Sequence, residues 1–192
     1  MARPASHLRA TYQDVVDAPD HLVAEILGGE LVLTPQPGLP HANAAGRLFR
    51  ALGGPFVDAV GGPGGWILQY EVELHFATDG LEVVVPDLVG WRREHLVEMP
   101  STAAVHVAPD WVCETLSPST EKIDRSRKMA IYARENVSHL WLLDPRLRRL
   151  ETYRLEGGLW RVSAPPSDPA RSDLRVEPFD EVALDLSNLW KW

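Results

Sequence analysis

The sequence predicts an α/β fold, with a central mixed β-sheet flanked by helices and additional outer β-hairpins. Three patterns support this prediction. Residues 66–76 alternate between apolar and polar side chains, as a strand with one buried face does. A short apolar strand at 111–116 precedes a helical pattern at 123–136, and another apolar strand follows at 139–143. Strand pairs outside this central segment are expected to extend the sheet as hairpins.

The first elements in chain order are a hairpin and a helix. Residues 24–33 are typical of two short strands around a Gly28-Gly29 turn, a dipeptide that suits the positive φ angles of a tight hairpin. Residues 41–52 carry apolar side chains at three- and four-residue spacings, which predicts an amphipathic helix that ends at Gly53-Gly54.

Two longer strands are predicted next, over 66–76 and 81–91. One face of the first strand is predicted to be apolar and consists of Leu68, Tyr70, Val72, Leu74 and Phe76, and the opposite face is polar. A hairpin over 150–162 follows the last central strand, and an apolar segment over 182–192 closes the chain.

Composition bounds the class of protein. The 192 residues are 45% hydrophobic and 24% charged, a balance typical of one folded domain. One cysteine, Cys113, excludes an internal disulfide framework and a cysteine-rich zinc site. No apolar stretch approaches the roughly 18 residues that a membrane helix needs, and the first 20 residues have no signal-peptide core. We therefore expect a cytoplasmic protein that does not interact with membranes.

The formal net charge is -8, but the charge is unevenly distributed. Residues 122–149 contain eight basic and three acidic side chains. A local basic face of this kind can hold phosphate groups even on an acidic protein. The alternative is a helix face whose charges are only solvated.

Asp87 and Glu114 are carboxylates in positions that are otherwise apolar. Asp87 follows three valines, and Glu114 shares its strand face with Val112 and Leu116. An ionised carboxylate in such a position is costly unless it is paired or binds a metal ion. On adjacent central strands the two side chains could share one metal ion. The alternative is that each forms a structural ion pair with an arginine.

Lys128 is a third candidate, on the helix predicted after the strand of Glu114. Its spacing from Ile131 and Tyr132 places it on or beside the helix face that packs on the sheet. Its ammonium group could point at the two carboxylates, oriented by Asp124 one turn earlier. The alternative is that the side chain extends outward to solvent.

Several other residues are expected to have structural roles. His41 begins a helix, so a role at the helix terminus is favoured over catalysis, and Cys113 is expected to be a small core residue. Trp111 and Trp141 are expected in the core, whereas the tail residues Trp190 and Trp192 could mark a surface for self-association.

A set of short segments carries a family resemblance: Glu25-Ile26-Leu27-Gly28-Gly29-Glu30-Leu31, His41, Pro86-Asp87, Pro109-Asp110-Trp111-Val112-Cys113-Glu114-Thr115-Leu116-Ser117-Pro118-Ser119-Thr120, Asp124, Lys128, Tyr132 and Trp141-Leu142-Leu143-Asp144-Pro145. They resemble the Uma2 family, also described as DUF820, which is assigned to the PD-(D/E)XK restriction-endonuclease-like superfamily of nucleases. The resemblance covers roughly residues 20–190. It implies an N-terminal lead-in over 1–20 and a single domain of this type over 21–192.

The resemblance implies a restriction-endonuclease-like fold, with a four-stranded mixed sheet, helices on both sides and outer hairpins. It also implies that Asp87 and Glu114 bind a metal ion and act in catalysis together with Lys128. In the superfamily pattern a lysine lies two residues after the second acid, but Leu116 occupies that position here. Lys128 on the following helix is expected to take its place.

The implied activity is that of a metal-dependent endonuclease that hydrolyses phosphodiester bonds of nucleic acid, with DNA as the first expectation. Two carboxylates suit Mg²⁺, for which Mn²⁺ can substitute. The basic run over 122–134 is expected near the phosphate track, and a homodimer is one way to cut both strands. Two alternatives stay open. One is a catalytically inactive binding or assembly module, which Leu116 and the negative net charge favour, and the other is an enzyme that hydrolyses small phosphodiesters.

Overall fold

The computed structural model describes residues 9–78, 80–164 and 168–191. Its helical segments are α1 (Tyr12–Val16), α2 (Leu39–Leu52), a π-helical turn (Gly53–Val57), α3 (Glu121–Ile123), a second π-helical turn (Asp124–Lys128), α4 (Met129–Arg134) and a 3₁₀ helix (Leu186–Trp190). Its strands are β1 (Leu22–Leu27), β2 (Glu30–Pro35), β3 (Trp66–Tyr70), β4 (Glu73–Phe76), β5 (Glu82–Val84), β6 (Leu88–Arg92), β7 (Ala104–Val105), β8 (Trp111–Thr115), β9 (His139–Asp144), β10 (Arg149–Glu156) and β11 (Leu159–Ala164). No helix in the described part of the chain combines the length and apolar character needed to cross a bilayer.

The central sheet has six strands in the order β11-β10-β9-β8-β6-β3. Strands β8 and β9 run parallel and the other neighbouring pairs are antiparallel, so the sheet is mixed, as predicted. A parallel pair needs a crossover connection. Segments α3, the second π-helical turn and α4 supply it as one continuous helix over 121–134, called the 121–134 helix below.

A second sheet, with the order β2-β1-β5-β4-β7, was not predicted. It exists because the strands predicted over 66–76 and 81–91 are not continuous. Each of them divides, so that β3 and β6 pair in the central sheet while β4 and β5 pair in the second sheet. The prediction of two long strands is therefore wrong.

The physical cause of the first break is the backbone at Glu71, whose φ of 51° turns the chain out of the extended conformation. The second break is at Pro86, which cannot donate a hydrogen bond within a sheet. The break also reverses part of the predicted burial. Tyr70, predicted on the apolar face, is 59% exposed, whereas His75, predicted on the polar face, is buried.

The central sheet buries an apolar core on each face. Trp111 and Cys113 face a core that includes α2 and the C-terminal segment, and Trp141 lies in the same core, as predicted. Val112 faces the other core, against the 121–134 helix and the second sheet. Trp190 is only partly buried and packs on the first core, so a surface for self-association at the tail stays a prediction.

The predicted helix over 41–52 begins two residues earlier, at Leu39, and Gly53-Gly54 continue it as a π-helical turn instead of ending the helical path. Within the predicted lead-in, α1 forms and the hydroxyl of Tyr12 donates to Glu73 over 2.9 Å. Residues 1–8 and Trp192 lie outside the described residues.

Gly90 lies in the centre of the sheet, where even a methyl side chain would crowd its neighbours. A Cβ atom there would lie 2.7 Å from Leu68 Cδ2 and 3.2 Å from Trp111 Cε3. We expect Gly90→Ala to lower the free energy of unfolding by about 1–3 kcal/mol because the core would be overpacked. Chemical denaturation would measure this. Gly46→Ala in α2 is the control, since its Cβ would meet no atom within 4 Å and alanine favours helix. Equal stability of the two variants would contradict the prediction.

Candidate active site

A cavity of about 390 Å³ lies where both sheets, α2 and the 121–134 helix meet. Strand β1, the residue before β6, strand β8 and the helix each contribute an acidic side chain to its wall. The charged and titratable groups that line it are Glu25, His41, Asp87, Glu114, Asp124, Lys128 and Arg146. The three residues predicted from the sequence as catalytic are therefore in one cavity.

Asp87 lies at the point where the chain passes from the second sheet into the central sheet. The backbone N–H of Thr115 donates to Asp87 Oδ2 over 2.6 Å, and His41 Nε2 lies 3.2 Å from the same oxygen. Strand register places Leu88 opposite Cys113, so Asp87 and Glu114 come from adjacent strands, as predicted. Burial by itself would lower the pKa of His41, but the hydrogen bond to Asp87 and the negative charge of Asp87 raise it.

Glu114 is 2% exposed, on the face of β8 that packs against the 121–134 helix. The ammonium of Lys128 lies 3.4 Å from each of its carboxylate oxygens, and the hydroxyl of Tyr132 donates to Oε1. Burial raises the pKa of Glu114 well above its ordinary value, although the charge of Lys128 lowers it. Among the described residues, the ion-pair partner of Glu114 is Lys128 and not an arginine.

Lys128 is the cationic centre of the cavity. Its Nζ lies 2.9 Å from Glu25 Oε1 and 3.8 Å from Asp124 Oδ1, and it donates to the carbonyl oxygen of Val85 over 3.3 Å. Burial would lower the pKa of Lys128, but the neighbouring carboxylates raise it well above its ordinary value. The side chain therefore points at the carboxylates and not outward, and Asp124 lies beside it one turn earlier, as the sequence indicated.

The helix that carries Lys128 is irregular at this point. Residues Asp124–Lys128 form a π-helical turn within the 121–134 helix. Such turns occur frequently at functional sites, because the wider turn changes where the side chains on that face are directed.

The donor set of the cavity suits a divalent cation. The cavity holds the carboxyl groups of Glu25, Asp87, Glu114 and Asp124, which outnumber the two side chains with a permanent positive charge, Lys128 and Arg146. Burial raises the pKa of Asp124 to about 6, against the lowering effects of Lys128 and Thr120. Hard carboxylate oxygens are the ligands that Mg²⁺ prefers, and one or two of them suffice when water and substrate complete its coordination.

Two further atoms beside Asp87 remain available for hydrogen bonds. His41 Nδ1 and Thr115 Oγ1 are buried and have no hydrogen-bond partner. The protein side chains alone do not form a complete metal site. Within the described ranges, no three or more His, Cys, Asp or Glu side chains lie close enough together to hold one metal ion. A cation at Asp87 and Glu114 would therefore depend on ligands from water or substrate.

Sequence reasoning missed three contributors to this site. Glu25 is buried in β1 and accepts a hydrogen bond from the backbone N–H of Val85 over 2.8 Å, and its position between apolar residues was the available signal. His41 was assigned to the helix terminus, yet it contacts Asp87. Tyr132 was noted for its spacing from Lys128 and as part of the family resemblance, but no role at the site was assigned to it. In contrast, Leu116 is a buried core residue, consistent with the absence of a lysine there.

The basic run over 122–149 is largely neutralised. Its ion pairs are Arg125 with Glu121 and Glu151, Arg127 with Glu30, Arg134 with Glu82 and Glu135, Arg146 with Asp144 and Glu121, and Arg149 with Glu151. Of these arginines, Arg146 lines the cavity. The positive field beside the cavity is therefore weaker than the count of basic residues indicates.

Comparisons with known proteins agree with this architecture. The Uma2 family model, described as "Putative restriction endonuclease", matches residues 10–186. The chain is similar to a crystal structure of a DUF820 "putative nuclease" from Anabaena variabilis ATCC 29413, with a TM-score of 0.69 and 18% sequence identity. The similarity covers 94% of this chain and 97% of the other. No curated protein matches the chain.

Proposed function

The chain belongs to the Uma2 family, whose members are described as restriction-endonuclease-like, and we propose that it hydrolyses phosphodiester bonds of nucleic acid with a bound divalent cation. In this proposal Asp87 and Glu114 hold Mg²⁺ or Mn²⁺, and Lys128 is their catalytic partner. The nucleic acid, with DNA as the first candidate, passes along the cavity that these side chains line. A homodimer that cuts both strands is part of the proposal for duplex substrates.

One observation carries the proposal: the ammonium of Lys128 reaches Glu114 in the cavity that Asp87 also lines. Position 116, where the superfamily pattern has a lysine, is a leucine here. The lysine that contacts Glu114 comes instead from the 121–134 helix. Two acids on adjacent strands can hold the cation for metal-assisted phosphodiester hydrolysis, and a lysine beside them can stabilise the negative charge that develops.

Each of these side chains has a role that its contacts support. The N–H of Thr115 and the ring of His41 hold the carboxylate of Asp87 in a fixed orientation, and Tyr132 does the same for Glu114. A bound cation would lower the pKa of a water molecule and offset charge on the scissile phosphate. Lys128 would stabilise the negative charge that develops on the phosphate oxygens.

The test is cleavage of labelled single- and double-stranded oligonucleotides in Mg²⁺ and in Mn²⁺. We expect Asp87→Asn to lower the rate at least about 100-fold, because the substitution keeps the size of the side chain and removes its charge. Arg161→Met, at an exposed position of β11 outside the residues that line the cavity, is the control and is expected to cleave as the wild type does.

Cation binding, measured by calorimetry, separates the alternatives. The nuclease is supported if the wild type binds the cation and cleaves the oligonucleotides, and if Asp87→Asn loses both activities. Wild-type protein that neither cleaves nor binds the cation would overturn the proposal and favour a binding module. Cleavage of bis-nucleotide esters but not of oligonucleotides would instead favour an enzyme for small phosphodiesters.

A further inference from the structure

A second, smaller cavity of about 210 Å³ opens on the other side of Asp87. Its wall is formed by Ala42, Ala45 and Gly46 of α2, together with Phe49, Tyr70 and Leu88. His41 and Asp87 line this cavity and also the acidic cavity described above. A ligand in the smaller cavity would therefore lie directly beside the candidate active site.

Tyr70 is the most prominent side chain of this cavity. It is the last residue of β3 and pairs with Leu88, so its backbone lies across from the residue that follows Asp87. An edge-to-face contact with Phe49, at 5.6 Å between the ring centroids, holds the aromatic ring in place. Even so, Tyr70 is 59% exposed, which leaves much of its surface free for contact with a ligand.

The chain beyond Tyr70 is fixed to the active site by a strained residue. Glu71 has a φ of 51°, a conformation that residues other than glycine adopt mainly where the surrounding structure requires it. Its backbone N–H donates to the carbonyl oxygen of Asp87 over 3.3 Å. This bond holds the backbone that follows Tyr70 against the backbone of Asp87.

The charge of the smaller cavity indicates what it can accept. No lysine or arginine lines it, whereas the carboxylates of Glu71 and Asp87 do. A phosphate group would be repelled there. A flat, uncharged group with an aromatic face would instead contact the Tyr70 ring and the small apolar residues of α2.

We propose that this cavity is a subsite for one unstacked nucleobase, which packs on Tyr70 while its nucleotide places a phosphate at the acidic cavity. The inference rests on the proposed function, because it takes nucleic acid as the ligand. It implies that the substrate strand must present a base that is free of the helical stack, either in single-stranded nucleic acid or flipped out of a duplex.

The first test is a double-mutant cycle between Tyr70 and the base. Fluorescence anisotropy would measure the affinity for a labelled single-stranded tetranucleotide and for its fully abasic counterpart, with Ca²⁺ in place of Mg²⁺. We expect Tyr70→Ala to weaken binding of the normal tetranucleotide about 5- to 100-fold and binding of the abasic one hardly at all. Tyr70→Phe keeps the ring and is expected to restore the affinity.

A second variant tests the cavity itself. A side chain at Gly46 would meet no atom within 4 Å of its Cβ, so Gly46→Leu is expected to fold and to fill the cavity. It should weaken binding of the normal tetranucleotide at least about fivefold. Leu159→Ala is the matched control, because Leu159 is 60% exposed and lies on the opposite edge of the central sheet.

The same anisotropy measurement with double-stranded DNA shows whether the base comes from a single strand or from a duplex. If duplex DNA binds weakly and Tyr70→Ala does not change its affinity, the ligand is single-stranded. If Tyr70→Ala weakens duplex binding as much as it weakens binding of the single strand, the base is flipped out of the duplex. An equal loss for the normal and abasic tetranucleotides in Tyr70→Ala would overturn the subsite even if the wild type cleaves DNA. Base-dependent binding without any cleavage would keep the subsite and reject the nuclease.

Discussion

A Lys128→Met variant is expected to unfold with a free energy about 3–5 kcal/mol lower than that of the wild type. Lys128 is 5% exposed, and its Nζ contacts carboxylate oxygens of Glu25, Glu114 and Asp124. Methionine keeps much of the length and volume of the side chain but removes the charge. Three buried acidic groups would then have no cation beside them, which is the most costly way to break a buried ion pair.

The control for this prediction is Lys122→Met, six residues earlier on the same helix. Lys122 is exposed, so its substitution is expected to change the free energy of unfolding by no more than about 0.5 kcal/mol. Urea denaturation of both variants at pH 7 would measure the difference. A Lys128→Met variant as stable as Lys122→Met would contradict the assignment of Lys128 as the counter-charge of the cavity.

The stability deficit of Lys128→Met is also expected to depend on pH. The pKa of Asp124 is about 6 in the folded protein and 3.8 ordinarily, so the folded state binds more protons between these values. The contribution of Asp124 to stability therefore falls as pH rises from about 4 to about 6. Loss of the Lys128 charge would raise the pKa values of Asp124 and Glu114 further, so the deficit should be larger at pH 8 than at pH 5.

A cation should restore part of the lost stability. Without Lys128 the cavity would hold four carboxylates and no ammonium group, so binding of Mg²⁺ to the folded state should stabilise it by mass action. Denaturation in MgCl₂, compared with NaCl at equal ionic strength, would measure the recovery. Equal curves in the two salts would argue against a cation site at these carboxylates.

Phe179→Ala is expected to lower the free energy of unfolding by about 3–5 kcal/mol. Phe179 is 2% exposed and contacts four aromatic rings of the first core. Its ring centroid lies 4.7 Å from that of Trp66, 4.8 Å from Phe56, 5.1 Å from Trp111 and 5.6 Å from Trp141. Removal of the ring would leave a cavity among rigid neighbours that cannot close over it.

Val162→Ala is the comparison for Phe179→Ala, since Val162 is 63% exposed on the edge strand β11 and its truncation should cost about 0.5 kcal/mol or less. Thermal and urea denaturation would both report the difference. If Phe179→Ala and Val162→Ala lost the same free energy of unfolding, the C-terminal segment would contribute little to the core. That result would contradict the contacts of Phe179.

Much of the fold could be predicted from local patterns. The Gly28-Gly29 turn and the apolar strand around Cys113 lie where the sequence placed them. The helix predicted over 123–136 also forms, but it begins and ends two residues earlier, over 121–134. These elements were predictable because turn chemistry and hydrophobic periodicity act over a few residues. The contact of Lys128 with Glu114 was one of two alternatives that helix spacing left open, and the structure selects it over a side chain that extends outward.

The second sheet could not be predicted in this way. The alternating pattern over 66–76 continues through Glu71, although the chain turns there and enters a different sheet. An alternating pattern of apolar and polar residues predicts which face of a strand is buried, but it does not predict which strand pairs with it. The exposure of Tyr70 and the burial of His75 follow from that pairing.

The sequence by itself determined the fold class and the family, and it supplied the candidate site residues Asp87, Glu114 and Lys128, which lie in one cavity. Only the tertiary structure decided that Glu25 and His41 join them, because both are far away in the chain and reach the site through β1 and α2. It also decided that the basic run is largely paired with acidic side chains. Side-chain charge can be read from the sequence, whereas the compensation of that charge depends on which distant residues the fold brings within a few ångströms.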